Sequence, residues 1–186
     1  MTRLLAVLFC AALALPVATS AQPVPEPEGY RHDHYRAPVP DTLAGATVIS
    51  DAEAHALWQS GSAVFVDVLP RPPKPENLPE GTVWRPKPRH SIPGAIWMPN
   101  VGYGQLAPSY ESYYRNGLSQ ITDGSVERPV VLFCLSECWM SWNAAKRAVG
   151  WGYSAVHWYP GGTDGWASMD LRTEVLSPMP GEPITR

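Results

Sequence analysis

The chain is predicted to be an α/β protein built on a parallel sheet with helices on its faces. Three observations carry that prediction. AVFVDV, PVVLFC and AVHWY are short apolar runs rich in β-branched or aromatic residues, with the length of buried strands. VISDAEAHALWQSG and WNAAKRAVGWG have helical character and lie between those runs. Strands alternating with helices at this spacing build parallel sheets, whose ligands bind beyond the strand carboxyl ends.

The composition fits one globular domain: 186 residues, 45% hydrophobic and 17% charged, with a formal net charge of -3. Collagen, coiled coil and acidic tail are excluded. With 21 Pro and 15 Gly the chain must contain long extended segments, but 8 Trp and 8 Tyr supply the large apolar groups that disordered chains lack. No basic excess favours nucleic acid or an anionic membrane surface, so the expected partners are small molecules or proteins.

The first element is a secretory signal. One cation at Arg3, an apolar run from Leu4 to Leu15, Pro16 and then small residues predict cleavage near Ala21. The run is too short for a bilayer span of about 20 residues, so an exported, periplasmic protein free of the membrane is expected after cleavage. Cys10 leaves with the signal, and Cys134 and Cys138 remain.

Residues 22–45 begin QPVPEPEGYRHDHYRAPVP, where Pro removes backbone donors and the charges deny a core, so an extended arm is expected, anchored by Tyr30 and Tyr35. Next, Ser50 with Glu53 three residues on caps a helix whose stripe is Ala54, Leu57 and Trp58, ended by Gly61. Strand AVFVDV follows. Residues 69–89 are too Pro-rich for regular structure and form a surface excursion, and AIWMP is a short strand. One short helix is expected around Ser109 to Arg115. PVVLFC then runs through LSECWMS into the helix WNAAKRAVGWG, stopped by Gly150 and Gly152, and AVHWY is a third strand. Residues 171–186 are expected to be a C-terminal tail.

The strongest chemical signal is VVLFCLSECWMSWNAAKR, in which a strand ends in a thiol before a short loop and a helix start. Backbone N–H groups there can face one anion, which favours a thiolate or a bound oxyanion at Cys134. The same residues are consistent with a buried small hydrophobe or a structural disulfide to Cys138.

In order along the chain, VDV at Asp67, RHSIPGAIWMP ending at Pro99, VVLFC, SWNAAKRAVGWGYSAV and YPGGTDGW resemble the segments of a rhodanese domain, over about residues 46–170. CLSECWMSWNAAKR with YRAPVPDTLAGA resembles, more narrowly, the exported CxxxCW proteins associated with alcohol catabolism dependent on pyrroloquinoline quinone (PQQ). The first resemblance implies a rhodanese-like parallel five-stranded sheet with helices on both faces. It also implies that Cys134 accepts a sulfane sulfur, as a persulfide, from thiosulfate or another small sulfur compound. The second implies a setting: a periplasmic PQQ-dependent dehydrogenase system.

The loop departs from the sulfurtransferase pattern, with Glu137 where Gly is usual and Met140 where Arg is frequent. It is one residue longer and approaches the phosphatase-like variant. That variant needs Arg to clamp an oxyanion through two parallel hydrogen bonds, which Met140 cannot supply, so phosphatase and arsenate reductase activities are not expected. Glu137 raises the pKa of a neighbouring thiolate unless it points away. Cys138 is placed to resolve a persulfide or mixed disulfide on Cys134 by thiolate attack. The expected site is therefore Cys134 and Cys138, with Leu135, Ser136, Glu137, Trp139, Met140 and Ser141 of the loop as binding residues.

His90 precedes SIPGA, near the rim where rhodaneses carry a Gly-His pair, and completes the expected site. His32, His34, His55 and His157 show no ligand spacing, although a soft ion such as copper would suit a CxxxC pair with one His. Asp67 is expected to hydrogen-bond loop backbone. Trp139 is read either as an inward-packed residue or as a stacking platform for a quinone or a partner protein. The alternative to sulfur or thiol-redox chemistry is a non-catalytic module that binds a partner dehydrogenase, a redox cofactor or a metal through the CxxxCW loop.

Overall fold

A computed structural model describes residues 23–183. The signal sequence, with its expected cleavage near Ala21, lies outside the described residues. Among the described residues no helix is long and apolar enough to cross a membrane.

Five strands form one parallel sheet: β1 (Thr47–Val48), β2 (Val64–Asp67), β4 (Ile96–Trp97), β5 (Val130–Phe133) and β6 (Val156–Tyr159), in the order β1-β6-β5-β2-β4. The α/β class, the parallel pairing and the number of strands agree with the sequence reading. Alternation along the central strands divides the core into two layers. Val66, Val130, Leu132 and Trp158 face α2 (Pro108–Ile121) and α3 (Trp139–Gly150). Phe65, Val131, Phe133 and Tyr159 face α1 (Asp51–Ser60) and α4 (Gly162–Ser168). Helices thus cover both faces, and the strands read as continuous apolar runs for that reason.

The α1 caps are those expected. Ser50 and Glu53 form a reciprocal capping box, and Gly61 ends the helix with a left-handed φ of 62°. The helix expected around Ser109 to Arg115 is longer. Pro108 opens α2 at its first turn and the helix runs to Ile121, burying Tyr113, Tyr114, Gly117 and Leu118. Gly117 belongs to that stripe because Met98 packs where a side chain would stand: a Cβ there would lie 3.0 Å from the Met98 sulfur.

Four elements have no counterpart in the residue-by-residue expectation: β1, α4 and the pair formed by β3 (Arg89–Ser91) and β7 (Glu174–Leu176). GTDGWAS forms α4, and the segment expected as a tail contributes β7, which pairs antiparallel with β3 at the end of the Pro-rich excursion. Beyond β7 the chain returns to the sheet, where the Met179 amide donates to the Trp97 carbonyl at 2.7 Å and Glu182 pairs with Arg71.

The arm is extended but anchored along its length on α3. Side-chain donors at Trp139, Trp142, Asn143 and Lys146 bind the carbonyls of Pro38, Thr42, Arg31 and Pro27 at 3.1, 3.1, 2.8 and 3.1 Å. Tyr30 stacks under the Arg147 guanidinium, and the Tyr35 hydroxyl accepts the Gly104 amide at 3.1 Å.

Candidate functional site

The cysteine loop leaves the carboxyl end of β5 and enters α3, at the sheet edge where α/β proteins bind ligands. Cys134 is the first residue past β5, and Cys138 is the N-cap of α3. The two are joined by a disulfide with Cα atoms 6.2 Å apart, a separation that disulfides ordinarily span. Glu137 makes the closure possible: its φ of 49° turns the chain back towards the helix, a left-handed conformation uncommon outside glycine. Its side chain is exposed, so it points away from the buried sulfurs.

A second set of residues holds the strand end. The Cys134 carbonyl accepts the Thr163 amide at 3.0 Å and the Arg89 guanidinium at 3.4 Å. Arg89 in turn pairs with Asp67 at 2.6 Å, and Ser91 donates to the same carboxylate oxygen at 2.5 Å. The other oxygen of Asp67 accepts the Leu69 amide at 2.9 Å, the loop-backbone role expected for it. Burial pushes the Asp67 carboxyl up, opposed first by the Arg89 guanidinium and then by the Ser91 and Leu69 donors. Close approach of α4 depends on Gly162, with φ 55°, because a Cβ there would stand 2.6 Å from the Cys134 oxygen.

Two of the amides expected to stabilise a sulfur anion, those of Ser136 and Trp139, already have acceptors. The Ser136 amide and hydroxyl both donate to Asp164, at 3.0 and 2.8 Å. The Trp139 amide donates to the Tyr35 carbonyl of the arm at 2.9 Å. The anion facing this loop is therefore a carboxylate of the chain itself, and the first turn of α3 is closed by the arm. Arg36 forms a β-bridge with Cys138 at the same point. Cys134 is 0% and Cys138 2% exposed.

The other expected residues take different places. Trp139 is 2% exposed and packs edge-on against Trp142 with Arg31 over its ring, which is the inward alternative rather than an open platform. Met140 is buried in the core. Ser141 is buried too, donating to the Cys138 carbonyl at 2.9 Å and accepting the Trp158 indole at 3.1 Å. Leu135 packs partly on the core. His90 is exposed on β3, while strand alternation turns Arg89 and Ser91 inward and brings Arg89 to the Cys134 carbonyl. Arg89 and Asp164 were not identified from sequence, and Tyr35 was expected as an anchor of the arm but not as an acceptor for the Trp139 amide. Arg89 and Ser91 had a detectable signal, the period-2 pattern around His90.

Among the described residues no group of three or more His, Cys, Asp or Glu is placed to hold a metal ion. This donor set does not fit the copper considered for the CxxxC pair, since no histidine joins the two sulfurs.

No family model matches the chain, and no curated protein matches it. Solved structures do. A thiosulfate sulfurtransferase from Pseudomonas aeruginosa is similar at 18% identity and a TM-score of 0.48, over 72% of this chain and 21% of that one. The polysulfide-sulfur transferase homodimer from Wolinella succinogenes is similar at 18% identity and a TM-score of 0.44, over 70% and 80% of the two chains. A rhodanese-like domain from Anabaena is similar at 14% identity and a TM-score of 0.46, over 77% and 90%. The similarity to the Pseudomonas enzyme thus spans about a fifth of that protein's length.

Proposed function

We propose that the chain is a periplasmic protein of sulfur or thiol-redox chemistry working through Cys134 and Cys138. The observation that supports this reading is the disulfide from the carboxyl end of a central parallel strand to the N-cap of the following helix. In the reduced form the Cys134 thiolate attacks the sulfane sulfur of thiosulfate, forming a Cys134 persulfide and releasing sulfite. The Cys138 thiolate then attacks the Cys134 sulfur and expels hydrosulfide, which forms the disulfide. An external dithiol returns the pair to the reduced state and is itself oxidised to a disulfide. The setting we propose is the PQQ-dependent oxidation of alcohols, in which this chain serves a partner dehydrogenase system.

The test is to incubate the reduced protein with thiosulfate or a persulfide donor and to weigh it. One added sulfur on Cys134 is expected. Cys134→Ser abolishes the label, and Cys138→Ser lets the persulfide accumulate because the resolving thiol is gone. Slow turnover with thiosulfate is expected, since the Ser136 and Trp139 amides are occupied by Asp164 and Tyr35. Burial of both sulfurs favours a second reading, a non-catalytic module that docks a dehydrogenase or a redox cofactor through the CxxxCW segment. No adduct from any donor, with unchanged alcohol oxidation in a Cys134→Ser strain, would select it.

A further inference from the structure

The disulfide is covered by a piece of extended main chain, and the way α3 holds that piece is informative. Trp139, Trp142, Asn143 and Lys146 stand at i, i+3, i+4 and i+7, one stripe of the helix, and each donates a side-chain hydrogen bond to a backbone carbonyl of the arm. The helix start adds the Trp139 amide to the Tyr35 carbonyl, and Cys138 pairs with Arg36 as one strand pairs with another. Carbonyls are common to every polypeptide, so these contacts read extended backbone and not the arm's sequence. What is specific to the arm is separate: Tyr35 edge-on to Tyr103, its hydroxyl on the Gly104 amide, and Arg31 over the Trp139 ring.

Resting on the dithiol reading above, we propose that the substrate of the Cys134–Cys138 disulfide is a polypeptide dithiol, which binds as an extended segment along the line held by residues 35–38 of the arm. The arm is the chain's own occupant of that line and is displaced when the substrate binds. Displacement uncovers Cys138, the member of the pair that borders the arm. One substrate thiolate attacks the Cys138 sulfur; the Cys134–Cys138 bond breaks and Cys134 leaves as thiolate. The second substrate thiolate attacks the substrate sulfur of the mixed disulfide and releases the Cys138 thiolate. The substrate is oxidised to a disulfide and the protein is reduced by the same two electrons, with the two thiol protons passing to the protein thiolates or to water.

The experiment uses the oxidised mature chain with both native cysteines. Reduction is followed by thiol alkylation and mass spectrometry, with dithiothreitol in one arm and an unstructured eight-residue peptide carrying two cysteines in the other. Tyr35→Ala removes an anchor of the arm but keeps its carbonyls, and Arg31→Ala is a second variant acting at another anchor. Either variant uncovers Cys138 for both reductants, and reduction by the peptide is expected to speed at least tenfold, a gain at least three times that seen with dithiothreitol. A synthetic peptide of residues 29–40, added in trans, should slow the peptide reaction at least fivefold. Equal acceleration of both reductants, or no effect of the added arm peptide, would overturn the polypeptide assignment and leave small sulfur compounds as substrates. A disulfide that resists both reductants in all three proteins would overturn the dithiol reading itself.

Discussion

Asp67 and Arg89 form a pair that is nearly sealed from solvent, with 0% and 7% of their side chains exposed, and the pair connects directly to the Cys134 carbonyl. A buried carboxylate and guanidinium are costly to desolvate, but removing one partner is costlier because the other charge is left without compensation. Arg89→Leu is therefore expected to lower stability at pH 7 by about 3–5 kcal/mol, read from the urea midpoint. Combining it with Asp67→Asn should recover part of that loss, since Asn can still accept from Ser91 or Leu69. The sign with pH is also defined. Burial already pushes the Asp67 carboxyl up, and loss of the guanidinium pushes it further. A carboxyl raised in the folded state contributes stability that is full below its unfolded value of about 3.9 and is lost as pH rises through the folded value. The Arg89→Leu penalty should therefore be smaller at pH 4 than at pH 7, and an equal penalty at both would contradict this account.

The arm and α3 are joined most firmly at Asn143, fully buried, whose side chain accepts the Arg31 amide at 2.9 Å and donates to the carbonyls of Arg31 and Gly102 at 2.8 and 2.9 Å. Asn143→Ala strands those three backbone groups, at a cost of about 1–3 kcal/mol for each one left unsatisfied in the interior. The expected outcome is a lower urea midpoint and faster proteolysis within residues 26–40, measured by limited digestion. Elements like these divide by how local their signals are. Ser50, Glu53 and Gly61 place α1 because a cap and a stop act within a few residues, and the thiol at the end of VVLFC marks the loop for the same reason. The full length of α2 was obscured because Gly117 takes an apolar position without an apolar side chain. The arm's path and Asp164 were illegible in kind: their bonds run to carbonyls or amides more than twenty residues away, and no composition or period announces a backbone partner.

Across the whole molecule, both flanking segments reach the carboxyl edge of the sheet, residues 35–36 of the arm at the start of α3 and residues 178–179 of the tail beside β4. The opposite layer, packed by α1 and α4, carries the clearest acid sensitivity. His157 sits on β6 beneath α1, with Ile49, Leu57 and Glu53 around the same cavity, and its buried Nδ1 has no hydrogen-bond partner among the described residues. Burial pushes its imidazole below the usual histidine value. A histidine depressed in the folded state contributes stability that is full above the unfolded value of about 6.5 and is lost as pH falls through the folded value, because only the unfolded chain takes the proton readily. Stability should therefore decline as pH falls from 7 to 5. His157→Gln removes that proton uptake while keeping a polar side chain of similar reach. Urea midpoints of the two proteins should run parallel above pH 7 and converge or cross below 6.5, with the native chain losing more. Curves that stay parallel down to pH 5 would show that His157 takes up its proton equally in both states.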